Sequence, residues 1–105
     1  MNKQTDKELL ELAAKAVGYV FFEDTLINER TGFEYNGWNP LEDDGDAFRL
    51  AVQLEMLVDV VNRVVAGYNS DICIDIDSEE QEEDSCKAVR KAIVRAAAEI
   101  GKGMK

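Results

Sequence analysis

Apolar residues recur at steps of three and four near the start of the chain, which is the spacing of one helix face. The positions on this stripe are Leu9, Leu12, Ala13, Ala16 and Val17. A capping box precedes them, because the Thr5 hydroxyl can accept from the Glu8 amide while the Glu8 carboxylate reaches back to the Thr5 amide. Gly18 can adopt the left-handed conformation that ends a helix. The pattern predicts a first helix over about residues 5–17.

Two later stretches repeat the helical spacing. The carboxylates of Asp43-Asp44-Gly45-Asp46 suit a helix start, and they predict a second helix over about residues 44–55. Its apolar face is predicted to be Ala47, Leu50, Ala51 and Leu54. A third helix is predicted to begin at Asp84 or Ser85 and to end at Gly101. Its apolar positions form a narrow seam that should face a sheet: Cys86, Val89, Ile93, Ala96 and Ile100.

Short β-branched and aromatic runs between the helices predict strands. Residues 19–22 and 33–35 are predicted to pair as a hairpin. Residues 57–65 either prolong the second helix or form strands, and their density of valine favours strands. Residues 64–68 and 71–76 flank Asn69-Ser70, a link suited to a second hairpin. In that hairpin the side chains of Ile72, Ile74 and Ile76 should face the core. The side chains of Cys73, Asp75 and Asp77 should face away from it.

These elements predict a single α+β domain over residues 1–105. Three helices pack on a small, mainly antiparallel sheet in the order α-β-β-α-β-β-β-α. A chain of 105 residues that is 46% hydrophobic can bury one core but has no room for a second. Only an acidic loop at about residues 78–84 and the two ends are expected to be mobile.

Charge is sorted along the chain, whose net charge is −10. Residues 71–84 hold eight carboxylates and no cation, whereas six cations and only Glu99 among the acids follow from Lys87 onward. An anionic surface repels nucleic acid and lipid headgroups and attracts basic proteins. The charge pattern therefore predicts a basic protein partner and makes nucleic acid an unfavourable one.

Several kinds of chemistry are disfavoured by the residues present. The chain has no histidine, so it lacks the usual neutral-pH base and the commonest metal ligand. Cys73 and Cys86 have no CxxC spacing and are predicted to be free thiols, with Cys86 buried on the seam and inert. Trp38 is predicted to anchor the core more readily than to serve as a ligand platform.

Two acidic clusters are candidate cation sites. The Asp43-Asp44-Gly45-Asp46 cluster could hold Mg²⁺ or Ca²⁺, but helix capping explains it with fewer assumptions. The spacing Asp75-x-Asp77-x-Glu79 begins like a calcium loop. However, Glu80 stands where the sharp turn needs glycine, and Cys86 stands where the bidentate glutamate belongs. We therefore expect no metal, no cofactor and no catalytic residue, and not an enzyme.

Two stretches, WNPLEDDGDAFRLAV at residues 38–52 and AIVRAAAEIG at residues 92–101, resemble a known family. Together with residues 9–17 they resemble small proteins of tailed bacteriophages and prophages described as phage αβα-sandwich domains. The resemblance implies a phage origin and an α/β architecture, with no assigned activity to carry over. No run approaches the ~20 apolar residues of a membrane span, and the first residues form no apolar leader segment. We expect a protein of the host cytoplasm that does not contact the membrane.

Two functional hypotheses follow. In the first, a non-enzymatic phage protein docks on a basic surface of a host or phage protein, with nucleic-acid mimicry by an inhibitor as one form. Its contacts would be the acidic residues Asp75, Asp77, Glu79, Glu80, Glu82, Glu83 and Asp84. In the alternative, a nucleic-acid-associated accessory protein uses the basic face of the last helix, formed by Lys87, Arg90, Lys91 and Arg95. The same cations could instead compensate the acidic stretch, within the chain or across a homodimer.

Overall fold

The computed structural model describes residues 5–22, 25–28, 30–67, 71–76 and 85–104. Within these ranges the chain forms three helices and six strands. Their order is α1 (Asp6–Ala16), β1 (Tyr19–Phe22), β2 (Thr25–Asn28), β3 (Glu34–Asn36), α2 (Asp44–Gln53), β4 (Leu57–Asp59), β5 (Val64–Ala66), β6 (Cys73–Asp75) and α3 (Ser85–Lys102). The predicted α+β class is confirmed. In the same ranges no helix is both long enough and apolar enough to cross a membrane.

The strands form two antiparallel sheets instead of one, each with its three strands in sequence order. In the first sheet an additional strand, β2, lies between the two that were expected to pair directly. Leu26 at its centre is opposite both Phe21 and Tyr35 and is fully buried. The predicted hairpin of residues 19–22 with 33–35 is therefore wrong, because β2 takes the hydrogen-bonding edge of each.

The second sheet agrees closely with the pattern of the sequence. Residues 57–65 form β4, a turn and the start of β5, so the preference for strand over helix is confirmed. β5 pairs with β6 across residues 67–72, which confirms the second hairpin. Cys73 and Asp75 are exposed, whereas Ile76 is buried and Ile72 and Ile74 are half-buried, as alternation requires. Asp77 lies outside the described residues.

Local signals determine where the first two helices begin. Thr5 caps α1 through the complete capping box with Glu8, which confirms that prediction. Asp43 caps α2 by accepting a hydrogen bond of 2.7 Å from the Asp46 amide. Gly18 follows α1 with a φ of +81°, the left-handed conformation expected of it. α3 begins at Ser85, while Asp84 lies outside the described residues.

The core is built around α3, which packs against α1, α2 and the second sheet. The buried face of α3 is much wider than the predicted seam. Because most of its residues are alanines, neighbouring elements can approach closely. The face consists of Ala88, Ala92, Ile93, Val94, Ala96, Ala97 and Ala98. Leu50 of α2 and Val65 of β5 belong to the same hydrophobic cluster. A smaller cluster of Ala14, Tyr19 and Leu26 lies under the first sheet. Trp38 packs against both clusters, in agreement with its predicted role as a core anchor.

Two predictions about α3 are wrong. Gly101 does not end the helix but lies within it, buried against the backbone of Leu12 in α1. Cys86 is exposed and not buried on a seam, because Ala88, two positions further on and so on another side of the helix, is the residue of this turn that enters the core. Both cysteines are free thiols, as expected from their spacing.

Candidate functional site

Of the seven acidic residues proposed as partner contacts, the structure describes Asp75. It is exposed on β6, at a hollow that Lys91 and Arg95 of α3 also line. The remaining six lie outside the described residues, as does the predicted loop at 78–84: Asp77, Glu79, Glu80, Glu82, Glu83 and Asp84. Their contribution to binding stays a prediction.

The four residues of the predicted basic face on α3 do not share one surface. Arg90 faces α2, where its Nε donates to the Leu41 carbonyl at 2.9 Å and its Nη1 pairs with Asp44 at 2.6 Å. Its side chain is only 14% exposed. Lys91 and Arg95 are half-buried on the side of β6, and Lys87 is exposed. Arg90 thus ties α3 to the start of α2, which leaves a smaller basic face than the sequence indicated.

The acidic turn before α2 is used inside the fold. Asp43 caps the helix, and Asp44 pairs with Arg90. Asp46 accepts from the Asn39 amide at 2.9 Å and from Arg49 at 2.7 Å. The capping interpretation of this cluster is confirmed. No group of three or more cysteine, aspartate or glutamate side chains with the arrangement of a metal site occurs in the described ranges.

Within the described residues, a hollow of about 600 Å³ lies between α2, β4 and the first turns of α3. We call it the apolar groove. Its walls are almost entirely hydrophobic side chains: Phe48, Val52, Met56, Val60, Val89 and Ile93. Phe48 and Val52 are one helical turn apart on the outer side of α2 and remain 69% and 58% exposed. Regular elements form most of the groove, so most of its shape is preformed.

Glu55 stands at the rim of the apolar groove, just after α2. The helix ends in a Schellman motif, in which the Glu55 amide donates to Val52 and the Met56 amide donates to Ala51. This motif needs a left-handed residue after the cap, and Glu55 takes that role with a φ of +52°. Glycine would adopt the conformation without the steric cost that a Cβ brings. The fold therefore holds a carboxylate at the rim at a cost in stability.

The two thiols lie at different sites. Cys86 lines the end of the apolar groove near the Asp44–Arg90 ion pair. Cys73 lines the separate polar hollow beside Lys91 and Arg95. Because both thiols are exposed and neither is in a disulfide, alkylation of each can be used to test whether its own hollow is occupied.

Another hollow, of about 400 Å³, lies on the other side of Phe48 and Val52. We call it the aromatic pocket, because four of its lining residues are Tyr19, Tyr35, Trp38 and Phe48. Asp46, Arg49 and Gln53 supply its polar groups, and Gln53 donates to the Tyr19 hydroxyl at 3.0 Å. A hydrogen bond with Tyr19, together with a smaller effect of desolvation, raises the pKa of Tyr35 above its ordinary value.

Neither the apolar groove nor the aromatic pocket was predicted from the sequence, although a signal for both was present. The apolar face predicted for α2 runs through Ala47, Leu50 and Ala51. Phe48 and Val52 fall outside this stripe, so a helix with one buried face must expose them. Large apolar residues on the wrong face of a short helix are therefore the sequence signal for these sites.

No protein-family model, curated protein or solved structure matches the chain.

Proposed function

We propose that this chain is a non-catalytic protein-binding domain, and that its apolar groove receives an amphipathic, basic helical segment of another protein. The observation that carries the proposal is the exposed pair Phe48 and Val52, which lines a preformed apolar hollow. In keeping with the resemblance to tailed-phage proteins, we place the partner among proteins of the phage or its host.

The apolar surface itself supports a docking role. Full burial of a Phe or Val side chain stabilises a protein by roughly 1.5–3 kcal/mol, and this chain leaves both Phe48 and Val52 more than half exposed. Contiguous apolar patches rimmed by polar residues mark interaction sites in soluble proteins. A groove between a helix, a strand and a second helix matches the way amphipathic helices are bound, with anchors at helical spacing.

The charge of the chain decides whether a basic partner or a second copy of the chain is the better occupant of the apolar groove. The chain carries a net charge of −10, and Glu55 lies at the groove rim. A partner segment with lysine or arginine beside its apolar anchors is attracted by this field, which mainly accelerates association and excludes wrong partners. A second copy of the chain would bring the same negative charge to the interface. We therefore assign the groove to a basic partner and not to self-association.

The conformation of Glu55 supports the same conclusion. Backbone strain held at one point is a reason to look for function there. At Glu55 the strained residue is also a charged one at the edge of the apolar surface. A glycine would end α2 more stably but would remove the carboxylate. A glutamate at this position can form an ion pair with a cation of the partner, which a glycine cannot do.

A binding experiment with a designed probe tests the proposal. The probe is a fluorescein-labelled amphipathic peptide with leucines at helical spacing and lysines on its other face, and the control peptide has glutamate in place of each lysine. We expect saturable anisotropy changes with the lysine peptide, weaker binding as salt is raised, and none with the glutamate peptide. Absence of saturable binding by the lysine peptide, or equal binding of both peptides, would overturn the proposal.

Two neighbouring valines give a matched pair of variants. Val60 lines the apolar groove, whereas Val61 is 90% exposed and does not line it. Val60→Lys should weaken peptide binding by about tenfold, as expected for an anchor position, and Val61→Lys by less than about twofold. Equal effects of the two substitutions would show that charge alone, and not the groove, binds the peptide. Sedimentation of the free protein completes the test, because a dimer dissociated by Val60→Lys would assign the groove to a second copy.

A further inference from the structure

The aromatic pocket contains a carboxylate that is largely withdrawn from solvent. The Asp46 side chain is 15% exposed, and one of its oxygens is fixed by the Asn39 amide. The other oxygen pairs with Arg49, whose own side chain is 67% exposed. Tyr19, Tyr35, Trp38 and Phe48 line the same hollow.

This combination of groups favours a flat cation. The faces of aromatic rings attract cations, most strongly when the site is partly desolvated. A carboxylate on the same wall supplies the opposite charge and accepts hydrogen bonds. A guanidinium uses both, since it stacks on rings and donates in plane to a carboxylate, whereas an ammonium group acts as a point charge.

Arg49 shows that Asp46 accepts a guanidinium at this position. The pair is a bridge between positions three apart on α2, and water screens it on the Arg49 side, where the side chain is 67% exposed. An incoming guanidinium that also contacts the rings could therefore replace Arg49 at little cost. Arg49 then acts as an internal competitor that occupies the carboxylate while the pocket is empty of ligand.

We propose that the aromatic pocket binds an arginine side chain of the partner, whose guanidinium displaces Arg49 from Asp46 and stacks among the rings. The inference rests on the proposed function for the source of that arginine. It adds a second anchoring point on the other side of the ridge formed by Phe48 and Val52, which lines both hollows. The partner segment is thus expected to place an arginine next to its apolar anchors.

A titration with small probes tests this site without any partner protein. The probe is N-acetyl-arginine amide, followed by NMR shifts of the Trp38 indole N–H. The N-acetyl-lysine and N-acetyl-citrulline amides serve as comparison arms. We expect saturable binding of the arginine amide in the millimolar range, weaker binding of the lysine amide and none of the neutral citrulline amide. No saturable arginine binding, or equal binding of citrulline, would overturn the proposal.

Two substitutions move the affinity in opposite directions. Arg49→Gln removes the competitor at an exposed position and should strengthen arginine binding about two- to fivefold. Asp46→Asn removes the charge and should abolish saturable binding. Because Asp46→Asn can also disturb the start of α2, Arg49→Gln keeps the proposal testable if that variant does not fold. An unchanged or weaker affinity in Arg49→Gln would contradict the displacement step.

The result is separable from the outcome for the apolar groove. Val60 does not line the aromatic pocket, so Val60→Lys should change arginine-amide affinity by less than about twofold. If the lysine peptide fails to bind while the arginine amide binds, the groove proposal is wrong and the pocket assignment stands. If the peptide binds and the arginine amide does not, the reverse holds.

Discussion

The carbonyl oxygen of Leu12 in α1 occupies the space that a side chain on Gly101 of α3 would need. The two helix backbones approach each other at this point more closely than any residue with a Cβ permits. Gly101 is itself buried, although it is the second-last residue of α3. Among the described elements, α1 and α3 make the most extensive contact, and their close approach here requires that residue 101 has no Cβ.

Gly101→Ala should therefore destabilise the protein strongly. Alanine is the better helix former by about 1 kcal/mol, but its methyl overlaps a backbone atom that cannot rotate away. We expect a net loss of about 3 kcal/mol or more in the free energy of unfolding, measured by urea titration with circular dichroism. Gly103→Ala is the matched control, because its nearest neighbour would be 3.6 Å away, and it should change stability by less than about 0.5 kcal/mol. Equal stability of the two variants would show that α1 and α3 lie further apart.

Glu55→Gly should have opposite effects on stability and on binding. Removing the Cβ from a residue at a φ of +52° should raise the free energy of unfolding by about 1 kcal/mol. The same change deletes the rim carboxylate and should weaken binding of the lysine peptide. Glu55→Gln separates the two causes, since it keeps the strain and removes the charge. It should bind as weakly as Glu55→Gly without the gain in stability, and a gain equal to that of glycine would refute the strain argument.

Acid should weaken the turn between β4 and β5. The Asn62 side chain and then its backbone amide donate to Asp59, at 2.8 and 3.0 Å, and lower the pKa of that carboxyl below 3.8. A carboxyl whose pKa is lower in the folded state stabilises the protein above its unfolded pKa, and this contribution is lost as the pH falls through the folded value. Asp59→Ala should thus show a shallower fall in stability below about pH 4 than the parent protein.

Asn62→Ala provides the companion experiment for this turn. It removes the side-chain donor but leaves the carboxyl in place, so the acid dependence should fall between those of the parent and Asp59→Ala. Urea titrations at a series of pH values measure all three slopes. Parallel slopes in the parent and Asp59→Ala would mean that the Asn62 bonds do not favour the ionised form.

Cysteine alkylation should distinguish the two sides of the molecule. Both thiols are exposed, so both should react with iodoacetamide in the native protein at comparable rates. With the lysine peptide bound, Cys86 should react several times more slowly, because it lines the apolar groove. Cys73 lies in the polar hollow and should keep its rate, which makes it an internal control. Mass spectrometry after timed quenching gives both rates, and equal protection of the two sites would exclude groove-specific binding.

The sequence predicted those elements whose signals are local. The capping box at Thr5 and the cap at Asp43 involve residues three apart, so no distant contact is needed to recognise them. The valine-rich strands of the second sheet follow from β-branched side chains in alternation. β2 was missed because its four residues, Thr25–Asn28, contain only two apolar side chains and no glycine-based turn introduces them.

Sequence-based predictions failed where the outcome depends on contacts with distant parts of the chain. Gly101 carries the signal of a helix end, but its small size is used for contact with α1. Cys86 continues a correct helical spacing, yet Ala88 and not Cys86 enters the core from that turn of α3. The apolar groove was missed for a related reason, since periodicity shows that Phe48 lies off the buried face but not which elements stand beside it.

Trp38 packs against both hydrophobic clusters and also lines the aromatic pocket. It is the only tryptophan in the chain, so its indole gives the protein an intrinsic optical reporter. Emission from this one fluorophore responds both to loss of the folded state and to a guest entering beside it. Unfolding and ligand binding can thus be followed by tryptophan fluorescence in the unlabelled protein. Quenching by a ligand bound beside the indole distinguishes binding from unfolding.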